Sequence, residues 1–172
     1  MAQLHQINIG FDPVEDRLLL KVRGDDESEI RLWLTRRYVK LLWSVLQQAL
    51  KTLSGAVEQT TVEAQRAVMD FHQEQALAKS DFSTPWDDSA THTPLGEAPI
   101  LVTQIQRRTA PGREMLRLSP ADGPGIEIGC NPDTLHSISV AVADAARKAE
   151  WDLTFEASPE TGIATPPAAV RH

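Results

Sequence analysis

Apolar and polar residues alternate in three short runs near the start of the chain. Ile7 and Ile9 form the first, Leu18, Leu20 and Val22 the second, and Ile30, Leu32 and Leu34 the third. A period of two places each set on one face of a strand. The stretches FDPVED and GDDES between them carry turn residues. The period then changes. Thr35 is a cap residue, and Val39, Leu42, Val45 or Leu46, Ala49 and Leu53 recur at helical spacing as far as Ser54-Gly55. Glycine accepts the left-handed geometry with which helices end.

The same order recurs later. Ile100 to Arg108 reads as a strand, TAPGRE as a turn and Met115 to Leu118 as a second strand. SPADGPG turns again, Ile126 to Cys130 forms a third strand, and Asn131-Pro132 opens a helix that runs to about Glu150. Ile9 aligns with Ile105, Leu20 with Leu116, Val22 with Leu118, Ile30 with Ile126, Leu32 with Ile128, Leu42 with Ile138 and Leu46 with Val142. The offset is 96 residues throughout, and the caps Thr35 and Asn131 share it. The pattern predicts an α+β fold of duplicated βββα units, each an antiparallel meander plus a helix.

Between the units, residues 56–79 are rich in helix formers, with Val57, Thr61, Ala64, Val68 and Phe71 on one thin stripe. They predict a second, largely exposed helix. Residues 80–99 hold three prolines and no lysine or arginine, which predicts a mobile acidic loop. Trp151, Leu153 and Phe155 suggest one further strand, and 158–172 a disordered tail. The resulting division is 1–55, 56–99, 100–157 and 158–172, within one compact domain.

Composition narrows the function classes. With 172 residues, 41% hydrophobic and 24% charged, the chain is long enough for a real core. One cysteine excludes an internal disulfide and a cysteine-based zinc cluster. No apolar run approaches the length of a membrane span, and MAQLHQINIG lacks signal-peptide features, so a cytoplasmic location and no membrane partner are expected. A net charge of -7 disfavours general polyanion binding, although local patches override a global sum.

Strand alternation assigns Leu18, Leu20, Val22, Ile30, Leu32 and Leu34 to the inner face of the first sheet, matched by Leu116, Leu118, Ile126, Ile128 and Cys130. The opposite face carries Leu19, Lys21, Arg23, Arg31 and Trp33. A basic face with a central tryptophan suits stacking of single-stranded nucleic acid. The competing reading covers Trp33 and Leu19 with the 56–79 helix or a second subunit. The order strand, DPVEDR, strand, GDDES, strand ending LWLT, then amphipathic helix resembles a PUR repeat, and the whole is similar to PUR-repeat and Whirly-type single-strand binders. That resemblance spans residues 5–50 and 100–150; charge, insert length and aromatic content depart from it. The chain also resembles conserved bacterial proteins of unknown function.

Charge placement singles out one helix. The second unit begins with Asn131, Pro132 and Asp133, so an acid meets the positive end of the helix dipole. The first begins with Thr35, Arg36 and Arg37, with Lys40 a turn later. Each misplaced charge costs about 0.3–1 kcal/mol near an exposed end. One reading makes this a site for an anion or an acidic partner, flanked by Arg31 and Trp33. The other has Asp25, Asp26, Glu27, Glu29 or the 80–99 loop neutralise the arginines. A second cluster, Arg107, Arg108, Arg113 and Arg117, surrounds the first hairpin of the second unit and reads as a solvated hairpin whose basic residues protect an exposed edge.

Catalytic signals are sparse. His5, His72, His92, His136 and His172 show no metal-ligand spacing, and His136 is expected at the surface. Asp87, Asp88 and His92 share a loop, and Cys130 reads as a buried small hydrophobe. No nucleophile elbow, Walker loop or dinucleotide fingerprint is present. The sequence therefore predicts a non-enzymatic interaction module without metal or cofactor. Its expected contacts are Thr35, Arg36, Arg37, Lys40, Arg31 and Trp33, toward a protein partner or a second copy. The alternative is a single-stranded nucleic-acid binder using Lys21, Arg23 and Arg117.

Overall fold

A computed structural model describes residues 4–55, 61–79, 85–86 and 92–153. The fold is α+β. Strands β1 (Leu4–Asp12), β2 (Arg17–Gly24) and β3 (Glu29–Leu34) form an antiparallel meander and lead into α1 (Arg36–Leu53). Helix α2 (Val62–Lys79) follows, and then a two-residue strand β4 (Ile100–Leu101), which adds to β3 in parallel. Strands β5 (Gln104–Ala110), β6 (Arg113–Ser119) and β7 (Ile126–Cys130) make a second meander, followed by α3 (Pro132–Lys148). Two sheets result, in the orders β1-β2-β3-β4 and β5-β6-β7.

The order βββα thus occurs twice, but no single shift relates the two. Leu20 faces Leu32 and Leu116 faces Ile128, and Leu18 faces Leu34 as Glu114 faces Cys130, all at the 96-residue offset. In the first hairpins it fails. Ile105 pairs with Leu118, and the residue that pairs with Val22 is Ile7, not Ile9. Ile105 therefore corresponds to Ile7, at an offset of 98. The cause is the turn. Four residues separate Asp12 from Arg17, whereas Pro111-Gly112 alone link Ala110 to Arg113. Proline fixes the first turn position and Gly112 takes φ +72°, as a type II turn requires.

Each helix reaches the other sheet. Helix α1 leaves β3 yet packs on β5 and β6, and α3 leaves β7 yet packs on β1. The two helices also pack on each other, and α2 lies mainly against α3. Val39, Leu42, Leu46 and Leu50 of α1 and Leu135, Ile138 and Val142 of α3 join the inner faces of both sheets in one buried cluster. Burying each such side chain contributes about 1.5–3 kcal/mol. His136 is in that interior at 4% exposure, against the surface position expected of it. The helical spacing Leu135, Ile138, Val142 and Ala145 turns the adjacent position inward at the α1 and α2 contacts.

The ends of the elements refine the sequence reading. Helix α2 starts at Val62, capped by the Thr61 hydroxyl, which accepts from Ala64 N at 3.2 Å; residues 56–60 lie outside the described set. No strand forms at 151–153, and Phe155 and the 158–172 segment also lie outside it. Instead α3 closes with a Schellman turn: Trp151 N donates to Ala146 O and Glu150 N to Arg147 O. This returns Trp151 to the first hairpin. Its indole stands edge-on to Phe11 at 6.1 Å and donates to Asp16 Oδ1 at 3.1 Å. The turn holds Glu150 at φ +54°, a region that favours glycine. Glu150→Gly is expected to raise stability by roughly 0.5–1 kcal/mol, read as a higher urea midpoint at unchanged slope. A lower midpoint would mean that Glu150 makes a contact worth more than its backbone strain.

Candidate functional site

The outer face of the first sheet is not open. Lys21 Nζ lies 5.5 Å from the centre of the Trp86 ring, a cation–π distance. Gln6 donates to the Pro85 carbonyl at 3.2 Å. The 92–99 stretch follows the strand end: Glu29 N donates to His92 O at 3.0 Å, and Arg31 reaches the Glu97 carbonyl at 3.3 Å. Trp33 is half-buried, with Leu19 and Leu101 as its cross-strand neighbours. The covering element is therefore a pair of segments from the 80–99 loop. Helix α2 packs elsewhere, on α3 and α1.

The cations of this face are engaged inside the fold. Arg23 is only 3% exposed, which removes it as a surface contact. Arg31 Nε sits 2.5 Å from Glu29 Oε1, whose side chain is almost wholly buried. Arg23 is also the cross-strand neighbour of Glu29. A buried carboxylate demands such partners, because leaving it unpaired costs its full desolvation.

The open basic face is on the second sheet. Arg108, Arg113 and Arg117 are exposed there, beside Met115 and Glu127, and Arg108 pairs with Glu127 at 2.9 Å. Among the described residues no aromatic side chain shares it. Arg107 points the other way, toward α1, donating to Thr52 Oγ1 at 3.3 Å and lying 3.8 Å from the buried Glu114. Glu114 also accepts from Thr109 Oγ1 at 2.8 Å. Opposite it, burial and then the Glu114 charge push the Cys130 thiol up to about 12, so it stays protonated and inert.

The start of α1 remains at the surface. Thr35 Oγ1 accepts from Tyr38 N at 3.5 Å, the capping role its position predicts. Arg36, Arg37 and Lys40 are exposed, and the first turn holds no acid. Arg36 reaches the Asp152 carbonyl at 3.4 Å, which tethers it without neutralising it. Two of the acids proposed to quench these charges are engaged elsewhere. Glu29 holds Arg31, and Asp26 accepts from Ser28 N and Oγ, bonds that hold its carboxyl below the usual range.

Beside these cations runs a groove of about 430 Å³. Tyr38, Leu41, Ser44 and Val45 of α1 form one wall, and Thr103, Gln104, Ile105 and Gln106 the other. Tyr38 Oη donates to Thr103 O at 2.5 Å and closes one end. Leu41 is 45% exposed, an apolar residue off the buried stripe of α1. This groove was missed in the sequence; an exposed leucine off the apolar stripe of the helix was the signal that could have marked it. Arg31 and Trp33, expected beside Arg36, belong instead to the covered sheet face.

Among the described residues no cluster of three metal-ligating side chains occurs, and no helix is long and apolar enough to cross a membrane. The chain matches no protein-family model, no curated protein and no solved structure. Removing the partner of the buried Glu29 tests how the first sheet face is held. Arg31→Met is expected to cost roughly 1.5–3 kcal/mol in urea unfolding. A loss below about 0.5 kcal/mol, typical of an exposed pair, would show that Arg31 is not what stabilises Glu29.

Proposed function

We propose that this protein is a non-enzymatic interaction module that recognises an acidic segment of a partner protein through α1. One observation carries the reading: Arg36, Arg37 and Lys40 are exposed at the start of the helix that supplies one wall of a groove, with Arg37 one turn before Leu41 and Lys40 next to it, while the cations of the first sheet are occupied within the fold. Anions favour the start of a helix, and paired arginines add directional hydrogen bonds. The groove supplies what charge alone lacks, an apolar contact at Leu41 and Val45. Thr35 serves as the helix cap and not as a ligand contact.

Nucleic acid fits this arrangement less well. Single-strand binders combine a basic track with stacking aromatics. Here the tryptophan-bearing face lies under Trp86, and among the described residues the open basic face around Arg117 carries no aromatic ring.

Anisotropy of a labelled glutamate 20-mer, at low and physiological salt, tests the proposal with labelled oligo-dT alongside. Salt-sensitive binding of the acidic peptide, reduced at least about tenfold by Arg37→Glu/Lys40→Glu, is the expected result. Both positions are exposed, so the variant folds. Unchanged binding by the variant, no binding at low salt, or tighter binding of oligo-dT would overturn it.

A further inference from the structure

The groove wall opposite α1 is the edge of a sheet. Strand β5 is terminal in the order β5-β6-β7. The chain changes neighbours just before it: Val102 N donates to Trp33 O at 3.0 Å, on β3, and Thr103 N donates to Ser119 O at 3.0 Å, beside β6. Strand β3 then ends at Leu34 and becomes α1. From Gln104 onward the strand keeps β6 as its one sheet neighbour among the described residues. An edge of this kind presents backbone donors and acceptors ready to pair with another strand.

Three features of the groove specify what would pair there. Its walls are a helix and an edge strand, the geometry in which an extended peptide adds to a sheet and drops alternate side chains into the groove. Tyr38, Leu41 and Val45, at helical spacing, offer apolar surface to one set of those side chains. Arg37, Leu41 and Ser44 follow one another along α1 at helical spacing, with Lys40 next to them. This stretch is basic on a chain whose net charge is -7, so the complement is an acid.

We infer that the α1–β5 groove receives an extended segment of a partner protein, alternating acidic and apolar residues, as an added strand beside β5. This rests on the reading of α1 as a surface for an acidic partner and names how that partner binds. The apolar residues face Leu41 and Val45, the acidic ones meet Arg37 and Lys40, and the backbone pairs along Gln104 to Arg108.

The test uses the full chain and a labelled, end-blocked peptide of four Val-Glu repeats. Two further peptides carry N-methyl groups on either the valine or the glutamate amides, which deletes one set of backbone donors and leaves charge intact. The parent should bind, one methylated frame should weaken by at least about tenfold, and the other should stay within about threefold. Amides between residues 104 and 108 should gain exchange protection when the parent binds. Equal binding of all three peptides would overturn strand addition and leave the charge reading standing. Binding of the glutamate 20-mer with none of the Val-Glu parent would do the same. Failure of every acidic probe at low salt would overturn both.

Discussion

Neither meander can bury its apolar face by itself, and the exchange of helices is the solution on which the rest depends. A three-stranded sheet with one helix leaves too much surface wet to be stable. Here α1 crosses to β5 and β6, α3 crosses to β1, and the two pack against one another. The apolar stripes of both helices and both sheets thereby form one interior. Trp151 adds a second tie, carrying the end of α3 back to Phe11 and Asp16 of the first hairpin. The two units stand or fall as one cooperative structure.

That exchange also creates the groove. To reach β5, the chain must abandon strand geometry at Thr35, so β3 stops while the neighbouring strand continues. A helix then lies alongside an edge that β3 no longer covers. The sequence places cations at that point, where the helix dipole makes them costly, and gives the second helix a proline and an acid at the same positions. Among the described residues the first turn of α1 holds no acid to compensate Arg37 and Lys40 as Glu29 compensates Arg31. A residue kept at a cost to stability is the usual mark of a binding surface.

Much of this was legible in the residues. Period-two runs placed most of the strands, although Ile100 to Arg108, read as one, divides into β4 and β5 in different sheets, and Thr35 and Asn131 marked both helix starts because capping is local chemistry. The inner face was readable for the same reason: Leu18, Leu20, Leu32 and Leu34 alternate with polar neighbours, and all are buried. What failed depended on distance along the chain. The register of β5 turned on whether the hairpin loop held two residues or four, which periodicity does not reveal. The fate of Lys21 and Arg31 turned on a loop some sixty residues away, whose proline-rich composition argued for mobility. His136 was misplaced because α3 packs on α2, α1 and β1, neighbours that its own spacing does not reveal. Leu41 stands between these cases: visible as a misfit, but meaningless until β5 lay beside it.

The account turns on a division between two sets of cations, one covered by the fold and one left to solvent. Lys21 belongs to the first, under Trp86, and Lys40 to the second, next to Leu41 on α1. Native-state acetylation with a small amine reagent, followed residue by residue by mass spectrometry, measures that division directly. Lys40 should react at the rate of a free lysine and Lys21 several times more slowly, the difference vanishing in urea. Equal rates in the native protein, or faster modification of Lys21, would contradict it and return the first sheet face to the surface.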